Sequence, residues 1–503
     1  MTHREFVLWL ERIERELPVT RWQVRGIRVW PLVRLSLYAT TFNARVSEHF
    51  LGGGTRRRLA VVAGAIGSWA RALVSDRQGN RKATERADAV FLAYSVGRQP
   101  LVEGRRYNPL AAPYVELLAR QGRRSLVWEM SPFGEYNLPR YTPSFLIQPW
   151  LVALRILSEI LPLGREEIAL PGYERFVAAA REAGLPLRHA DLQRLRRDAL
   201  FIRRLADLFA RWLRRAGPRL GFVADGGLRE MAFCLACREL GITSVEIQHG
   251  VFTDLHPIYG SWHAVPADGY ETRPRLFWTW DQASAAALEC WTRKAPAAHG
   301  VVVGGDPWRD MWARADSEFV RRSNAAIETR KHEAGGERHI LVTLDSNREL
   351  LPRPLREAIA EGPTAWRWWV RLHPVHQAAR RAEALRELPG LGLDTELMDY
   401  ASESPLHALL RHMDAHVTVG LSSVVGEAAD AGVPSIACLA EAADFYAGEV
   451  ARGTLRVGCT GAEILAALED AFRQERPAPS EIRPGPDAAM EQALACAPFG
   501  RGE

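Results

Sequence analysis

Hydrophobic and polar residues change rhythm along this chain. Over 1–80 the apolar positions recur at helical spacing, anchored by Phe6, Leu8, Trp22, Trp30, Leu32 and Leu35, and no strand-like alternation interrupts them. From Ala87 the pattern becomes short apolar runs set between amphipathic stretches. ADAVFLAY (87–94) reads as a buried strand, 107–121 as a helix started by Asn108-Pro109, and 125–129 as a second strand. A helical insertion follows at 143–160 and 173–184. It ends in an Arg-rich amphipathic helix at about 190–216, whose Leu192, Leu195, Leu200, Ile202, Leu205, Leu208 and Leu213 share one stripe. Alternation resumes at 220–250, with further strands at 276–280 and 300–303 and helices at 281–291 and from 307 to about 332.

A Gly-rich break at 333–336 precedes a second alternating block. Its strands fall at 339–345, 366–372, 415–421 and 434–439, and helices at 426–432 and 461–474 lead into a Pro/Gly-rich tail with one helical stretch, 487–495. Strand–helix alternation in two blocks predicts two Rossmann-like α/β halves with parallel sheets. The expected organisation is a helical N-terminal extension (1–80), a first Rossmann-like domain carrying the helical insertion (81–332), a second (333–480) and the tail (481–503).

Length and composition fit this division. At 503 residues the chain exceeds one ordinary core, and its 47% hydrophobic and 25% charged residues are those of a folded globular protein. The net charge of +5 is carried almost wholly by arginine, which suits anionic ligands or surfaces, but no zinc-finger spacing, RNP-type strand or basic tail points to nucleic acid. The six cysteines are scattered, and Cys234 and Cys237 lie three apart in a helical pattern without a second Cys/His pair, so they read as small buried hydrophobes in a reducing cytosol. The N-terminus has no apolar signal core. The most apolar stretch, 59–74, follows Arg56-Arg57-Arg58 and is too short to span a bilayer, which leaves packing on the protein or contact with an anionic membrane surface.

Candidate chemistry sits at the ends of predicted strands, where an open α/β sheet opens onto its ligand crevice. In the first block Asp225 follows one strand and Gln248-His249-Gly250 the next. A carboxylate or an imidazole on that rim can take a proton from an attacking hydroxyl, so Asp225 and His249 are the candidate bases. Asp225 can equally cap the helix that follows. Gly226, Gln248 and Gly250 are expected to line the cleft, the glycines leaving room for a sugar. In the second block Arg371 and His373 sit at a strand end that Pro374 terminates, and Ser422-Ser423 precede a helix with Glu427 one turn further on. Arg and His there can hold a diphosphate, the serines can cap the helix or bind phosphate, and Glu427 can accept from ribose hydroxyls.

Taken together, Asp-Gly after one strand, Gln-His-Gly after the next, Arg-x-His-Pro, and Ser-Ser before a helix with Glu resemble the GT-B glycosyltransferases of bacterial surface polysaccharide synthesis. That group includes capsule Kdo transferases, bacterial sialyl- and polysialyltransferases and CDP-glycerol glycerophosphotransferases. The similarity covers roughly 220–439, with Ala224 where sialyltransferase-type motifs often carry a second acidic residue. The resemblance implies a GT-B fold, two Rossmann-like domains facing across a cleft. It implies Asp225 as acceptor base, His249 as a cleft residue, and Arg371, His373, Ser422, Ser423 and Glu427 around the donor nucleotide. It also implies a cytoplasmic enzyme moving a sugar from a nucleotide-activated donor, a CMP-sugar first, to a glycan or glycolipid acceptor at the inner face of the membrane. No Asp-x-Asp triplet occurs, and with neither a metal site nor a cofactor expected, transfer would rest on His, Arg and helix dipoles. The alternatives are a CDP-polyol phosphotransferase, a non-catalytic carbohydrate-binding or assembly protein of the same fold, and a nucleotide-sugar 2-epimerase.

Overall fold

The apolar runs of the first block become a seven-stranded parallel sheet. Ala89–Tyr94 is buried except at Tyr94 and lies inside the sheet. The chain adds Ser125–Met130 and Phe145–Leu146 on one side, then crosses back to place Leu220–Val223, Thr243–Ile247, Leu276–Thr279 and Gly300–Val303 in order on the other. The second block gives a five-stranded parallel sheet around Arg338–Thr343. Trp366–Arg371 lies on one side, and Ala415–Thr418, Ser435–Ala437 and Leu455–Val457 on the other. Strands covered on both faces read as continuous apolar runs, which is why most of these strands were visible in the sequence; Phe145–Leu146, inside a stretch expected to be helical, and Leu455–Val457 were not. The structure is a computed structural model and describes residues 1–42, 84–94, 100–130, 139–160, 167–187, 191–314, 317–345, 349–374, 377–474 and 485–496. The apolar stretch at 59–74 and its preceding arginines lie outside the described residues.

Each sheet reverses its direction of growth once. In the first the reversal falls between Ala89–Tyr94 and Leu220–Val223, and in the second between Arg338–Thr343 and Ala415–Thr418. Helices leave opposite faces on either side of such a switch point, so a crevice opens beyond the strand ends there. Asp225 follows Leu220–Val223, and Ser422-Ser423 follow Ala415–Thr418. Both motifs therefore stand at the switch points of their sheets.

The N-terminal helices belong to the first core. Thr2 and Glu5 form a reciprocal capping box that starts His3–Glu16. Trp22 packs between Trp30 (5.6 Å between ring centroids) and Phe176 (5.2 Å). Leu8, expected as an anchor, is instead 58% exposed. The region is also not wholly helical: Gln23–Val24 and Ile27–Arg28 form a hairpin that pairs with Ile168–Ala169 of the insertion, elements of two residues and too short for a periodicity to register. The long helix is Leu192–Ala216, capped by Asp191 and ended by Gly217, and it packs along Leu228–Leu240. The helix expected at 107–121 begins later, at Ala112, because the Asn108 side chain accepts from Leu110 N (3.0 Å) and folds a turn. At the other end of the chain Pro486–Ala495 returns to the first sheet, burying Ala489, Met490 and Ala493 against Val245, Trp278 and Val302.

Two apolar seams join the halves. Tyr107, Trp308 and Trp312 share a buried cluster with Leu409, Ala428 and Val433, and Leu255 is buried with Val425, Phe445 and Tyr446. Among the described residues, no helix is long and apolar enough to cross a membrane.

Candidate active site

On the first rim, Asp225 is exposed, and its Oδ1 accepts from the Gly226 amide (2.6 Å). It does not cap Leu228–Leu240, whose N-cap is Gly227 with no side-chain hydrogen bond. The missing side chains of the two glycines are occupied from below. A Cβ on Gly226 would stand 2.7 Å from Arg273 Nη1 and 3.3 Å from the Tyr259 hydroxyl, and one on Gly227 would stand 2.7 Å from Glu230 Oε2. Gly226 is thus required for close packing on Arg273, while Gly250, where a Cβ would meet nothing within 4 Å, faces open space. Beneath this turn Arg273 and Glu246 form a buried pair (3.7 Å). Glu230 is buried, and burial first, then the charge of Asp225, push its carboxyl up to about 8.

His249 is half-buried, edge-on to Phe252 (6.0 Å) and Tyr259 (5.8 Å), and its buried Nδ1 has no hydrogen-bond partner among the described residues. Gln248 was expected to line the cleft, but it is 1% exposed and its amide is fully used. Nε2 donates to Gly250 O (2.9 Å) and Ser284 Oγ (3.0 Å), and Oε1 accepts from Trp280 N (2.8 Å). It is a strut that fixes the His249-Gly250 turn against the next strand end. The segment after it is held by the N-terminal helices. Buried Arg34 donates to the carbonyls of Pro257 (2.9 and 2.7 Å) and Ser261 (2.8 Å), and Glu14 accepts from the amides of His263 and Ala264.

On the second rim, the Ser422 amide donates to the Tyr446 hydroxyl, which donates in turn to Ser422 O (2.9 Å). Ser423 Oγ donates to Glu427 (3.0 Å), and Glu427 lies 3.5 Å from His407 Nε2. Burial pushes that imidazole down to about 4 and so keeps it neutral at pH 7. His373 is half-buried at the end of Trp366–Arg371. Arg371 departs from expectation: its Nη1 donates to the carbonyls of Ala401 and Ser404 (2.7 Å for the latter), closing the end of Thr395–Glu403. A guanidinium near helical carbonyls is electrostatically at home, and this contact draws it toward a structural role.

The rims are connected through residues that the motif reading passed over. Arg309, on Pro307–Arg314 after the last strand of the first sheet, lies over the Trp280 ring (4.1 Å) and pairs with Asp306 (3.2 Å) and, in the other half, with Asp430 (2.7 Å). Burial opposes charge on Arg309, but Glu427, Asp306 and Asp430 outweigh it and raise its pKa. Asp306 is pushed up to about 6 by burial against the pull of Arg309. A continuous path therefore runs from the His249 turn through Gln248, Trp280 and Arg309 to Asp430 and Glu427. Trp280 and Asp306 also follow strand ends, so the same positional rule applied to every strand would have found them.

No protein-family model matches the chain, and no curated protein matches its sequence. Solved structures with a similar chain path include the UDP-GlcNAc 2-epimerase of Methanocaldococcus jannaschii in complex with UDP-GlcNAc and UDP. It has 12% identity over 81% of this chain and 99% of that one, with a TM-score of 0.46. The UDP-GlcNAc 2-epimerase of Neisseria meningitidis bound to UDP-GlcNAc has 13% identity over 81% and 99%, with a TM-score of 0.41. The spinosyn rhamnosyltransferase SpnG complexed with spinosyn aglycone has 13% identity over 82% and 97%, with a TM-score of 0.37. The fold itself, two parallel α/β sheets of seven and five strands, is the pair of Rossmann-like halves expected from the sequence. What those proteins bind is theirs, and the chemistry of this chain has to come from its own cleft.

Proposed function

We propose that this protein is a metal-independent glycosyltransferase that moves a sugar from a nucleotide-activated donor to a glycan acceptor. The observation that carries the reading is the coincidence of the two motif sets with the two switch points, joined across the seam by Trp280 and Arg309. Asp225 is the acceptor base. As the acceptor oxygen bonds to the anomeric carbon its proton passes to the carboxylate, and the bond from that carbon to the phosphate oxygen breaks, its electron pair leaving with the nucleotide. General-base help of this kind is worth roughly 10²–10⁴-fold. His249, whose buried Nδ1 has no hydrogen-bond partner among the described residues, is assigned to the leaving group or the acceptor. Ser422, Ser423 and His373 hold the phosphates and Glu427 the ribose, with Arg309 supplying the nearby fixed cation that balances the carboxylates. A CMP-linked donor and an acceptor assembled at the cytoplasmic face of the membrane are the first choices to test.

Thermal unfolding with CMP, CDP, UDP and GDP in EDTA tests the donor half. A rise in Tm with one nucleotide, lost in Ser423→Ala, is expected, and no rise with any of them at millimolar concentration refutes the reading. Flotation with anionic vesicles, with and without residues 1–80, tests the membrane half.

A further inference from the structure

Glu230 is a second carboxyl at the Asp225 turn that the proposed chemistry does not use. It lies in the first turn of Leu228–Leu240 and folds back toward the helix start. One of its oxygens lies 2.7 Å, and Asp225 Oδ2 3.7 Å, from the single point where a Gly227 side chain would begin. The two carboxyls therefore converge on the space that Gly227 leaves empty. Glu230 is 6% exposed, whereas Asp225 lies at the surface. The charges around Glu230 do not neutralise it. Asp225 on the turn and Glu246 on Thr243–Ile247 both oppose its ionisation, and Arg229 on its own helix favours it. The Arg229 guanidinium is drawn away, however, toward Met130 Sδ (3.5 Å) and the Tyr94 ring (5.8 Å). Arg273, under Gly226, is paired with Glu246. Two carboxyls in different surroundings at one turn divide the labour: burial, and then the Asp225 charge, hold Glu230 toward its protonated form, while Asp225 is exposed.

We propose that Glu230 is a positioning residue for Asp225, its buried carboxyl backing the Asp225 side chain at the turn where the acceptor hydroxyl is deprotonated. This rests on the transferase reading for its consequence and on the turn geometry for its existence. When Glu230 ionises, a second charge beside Asp225 disfavours an anionic donor in the cleft and misorients the base. The alkaline limb of activity then belongs to Glu230.

Two measurements on the full chain separate the claims. The first follows the Asp225 side-chain carbon by NMR on protein labelled with ¹³C at aspartate side-chain carboxyls, the signal assigned by its loss in Asp225→Asn. Wild type is expected to show an inflection near pH 8 that Glu230→Gln, nearly isosteric and checked for folding by its thermal transition, abolishes. An inflection unchanged in Glu230→Gln, or absent from wild type, overturns the proposal. The second is the pH profile of sugar transfer. The wild-type rate should fall about tenfold per pH unit beyond that inflection, while Glu230→Gln loses less than about threefold up to pH 9 with an unchanged KM for donor at pH 7. Identical profiles for the two proteins also overturn it. No transfer by wild type at any pH refutes the transferase reading itself, a result the NMR arm does not depend on.

Discussion

Replacing Arg34 by methionine tests how the segment after the His249-Gly250 turn is held. Arg34 has no exposed surface and spends its guanidinium on Glu14 Oε1, twice on Pro257 O and once on Ser261 O, with its face over the Trp262 ring (4.2 Å). Methionine keeps most of the volume and removes every donor. Glu14 would then be a buried charge still accepting from Trp30 Nε1 (2.7 Å) and the amides of His263 and Ala264, so it is not stripped bare. The carbonyls of Pro257 and Ser261 lose a fixed donor. Removing one member of a buried ion pair costs about 3–5 kcal/mol, and the retained donors to Glu14 place the expectation at the lower end, about 3 kcal/mol. Glu14→Gln combined with Arg34→Met removes both charges together and should recover about 1 kcal/mol or more of the loss relative to the sum of the singles. Denaturant unfolding of the four proteins measures this. The transfer rate should fall as well, because Pro257 and Ser261 flank Tyr259, on which His249 packs. A single-mutant cost below about 1 kcal/mol would show that the pair does not hold the segment, and the account of how the rim is positioned would fail.

Two further expectations follow from the same contacts. Arg309→Met removes the ion pair that joins Pro307–Arg314 to Val424–Asp430 and the cation whose charge Asp306, Glu427 and Asp430 share; nucleotide affinity should weaken at least tenfold by calorimetry, and unchanged affinity would remove Arg309 from the site. His416 is buried between Thr343 Oγ1 (2.8 Å) and Ser435 Oγ (2.9 Å), and burial pushes its pKa down to about 3. A neutral buried histidine binds its proton more readily when unfolded, so its contribution to stability is lost as pH falls from about 6.5 toward that value. Urea unfolding of His416→Asn should show a pH slope smaller by about 1.4 kcal/mol per unit between pH 4.5 and 6, and an unchanged slope would contradict the burial argument.

The fold was legible where burial imposes a pattern. Continuous apolar runs marked the long strands, and the stripe of Leu195, Leu205 and Leu213 marked the long helix. Two-residue strands such as Gln23–Val24 and Phe145–Leu146 carry no periodicity, and their pairing is decided by residues far away in the chain. The site was legible in position but less so in role. Asp225 and Ser423 stand at switch points because the strand order puts them there, and strand order is invisible in one sequence. Gln248 and Arg371 occupied the right places, yet the fold uses the Gln248 amide in hydrogen bonds to Ser284 and Trp280 and Arg371 Nη1 in hydrogen bonds to Ala401 and Ser404. Whether a polar side chain at a strand end faces ligand or backbone is settled by partners that are 30 or more residues distant. Glu230 and Arg309 were missed for the converse reason. Each looks like an ordinary charged helix residue until the structure sets it beside Asp225 or Asp430.

The most direct test of the central claim is transfer itself. Purified protein, EDTA, radiolabelled CMP-, UDP- or GDP-sugar and a membrane glycan fraction are combined, and the product linkage is determined for wild type and Asp225→Ala. The account predicts acceptor-dependent release of nucleotide, label in a glycosidic bond, and a rate at least about 10²-fold lower in Asp225→Ala with nucleotide binding retained. A phosphodiester product, a donor isomerised on its nucleotide without acceptor, or full transfer by Asp225→Ala would contradict it.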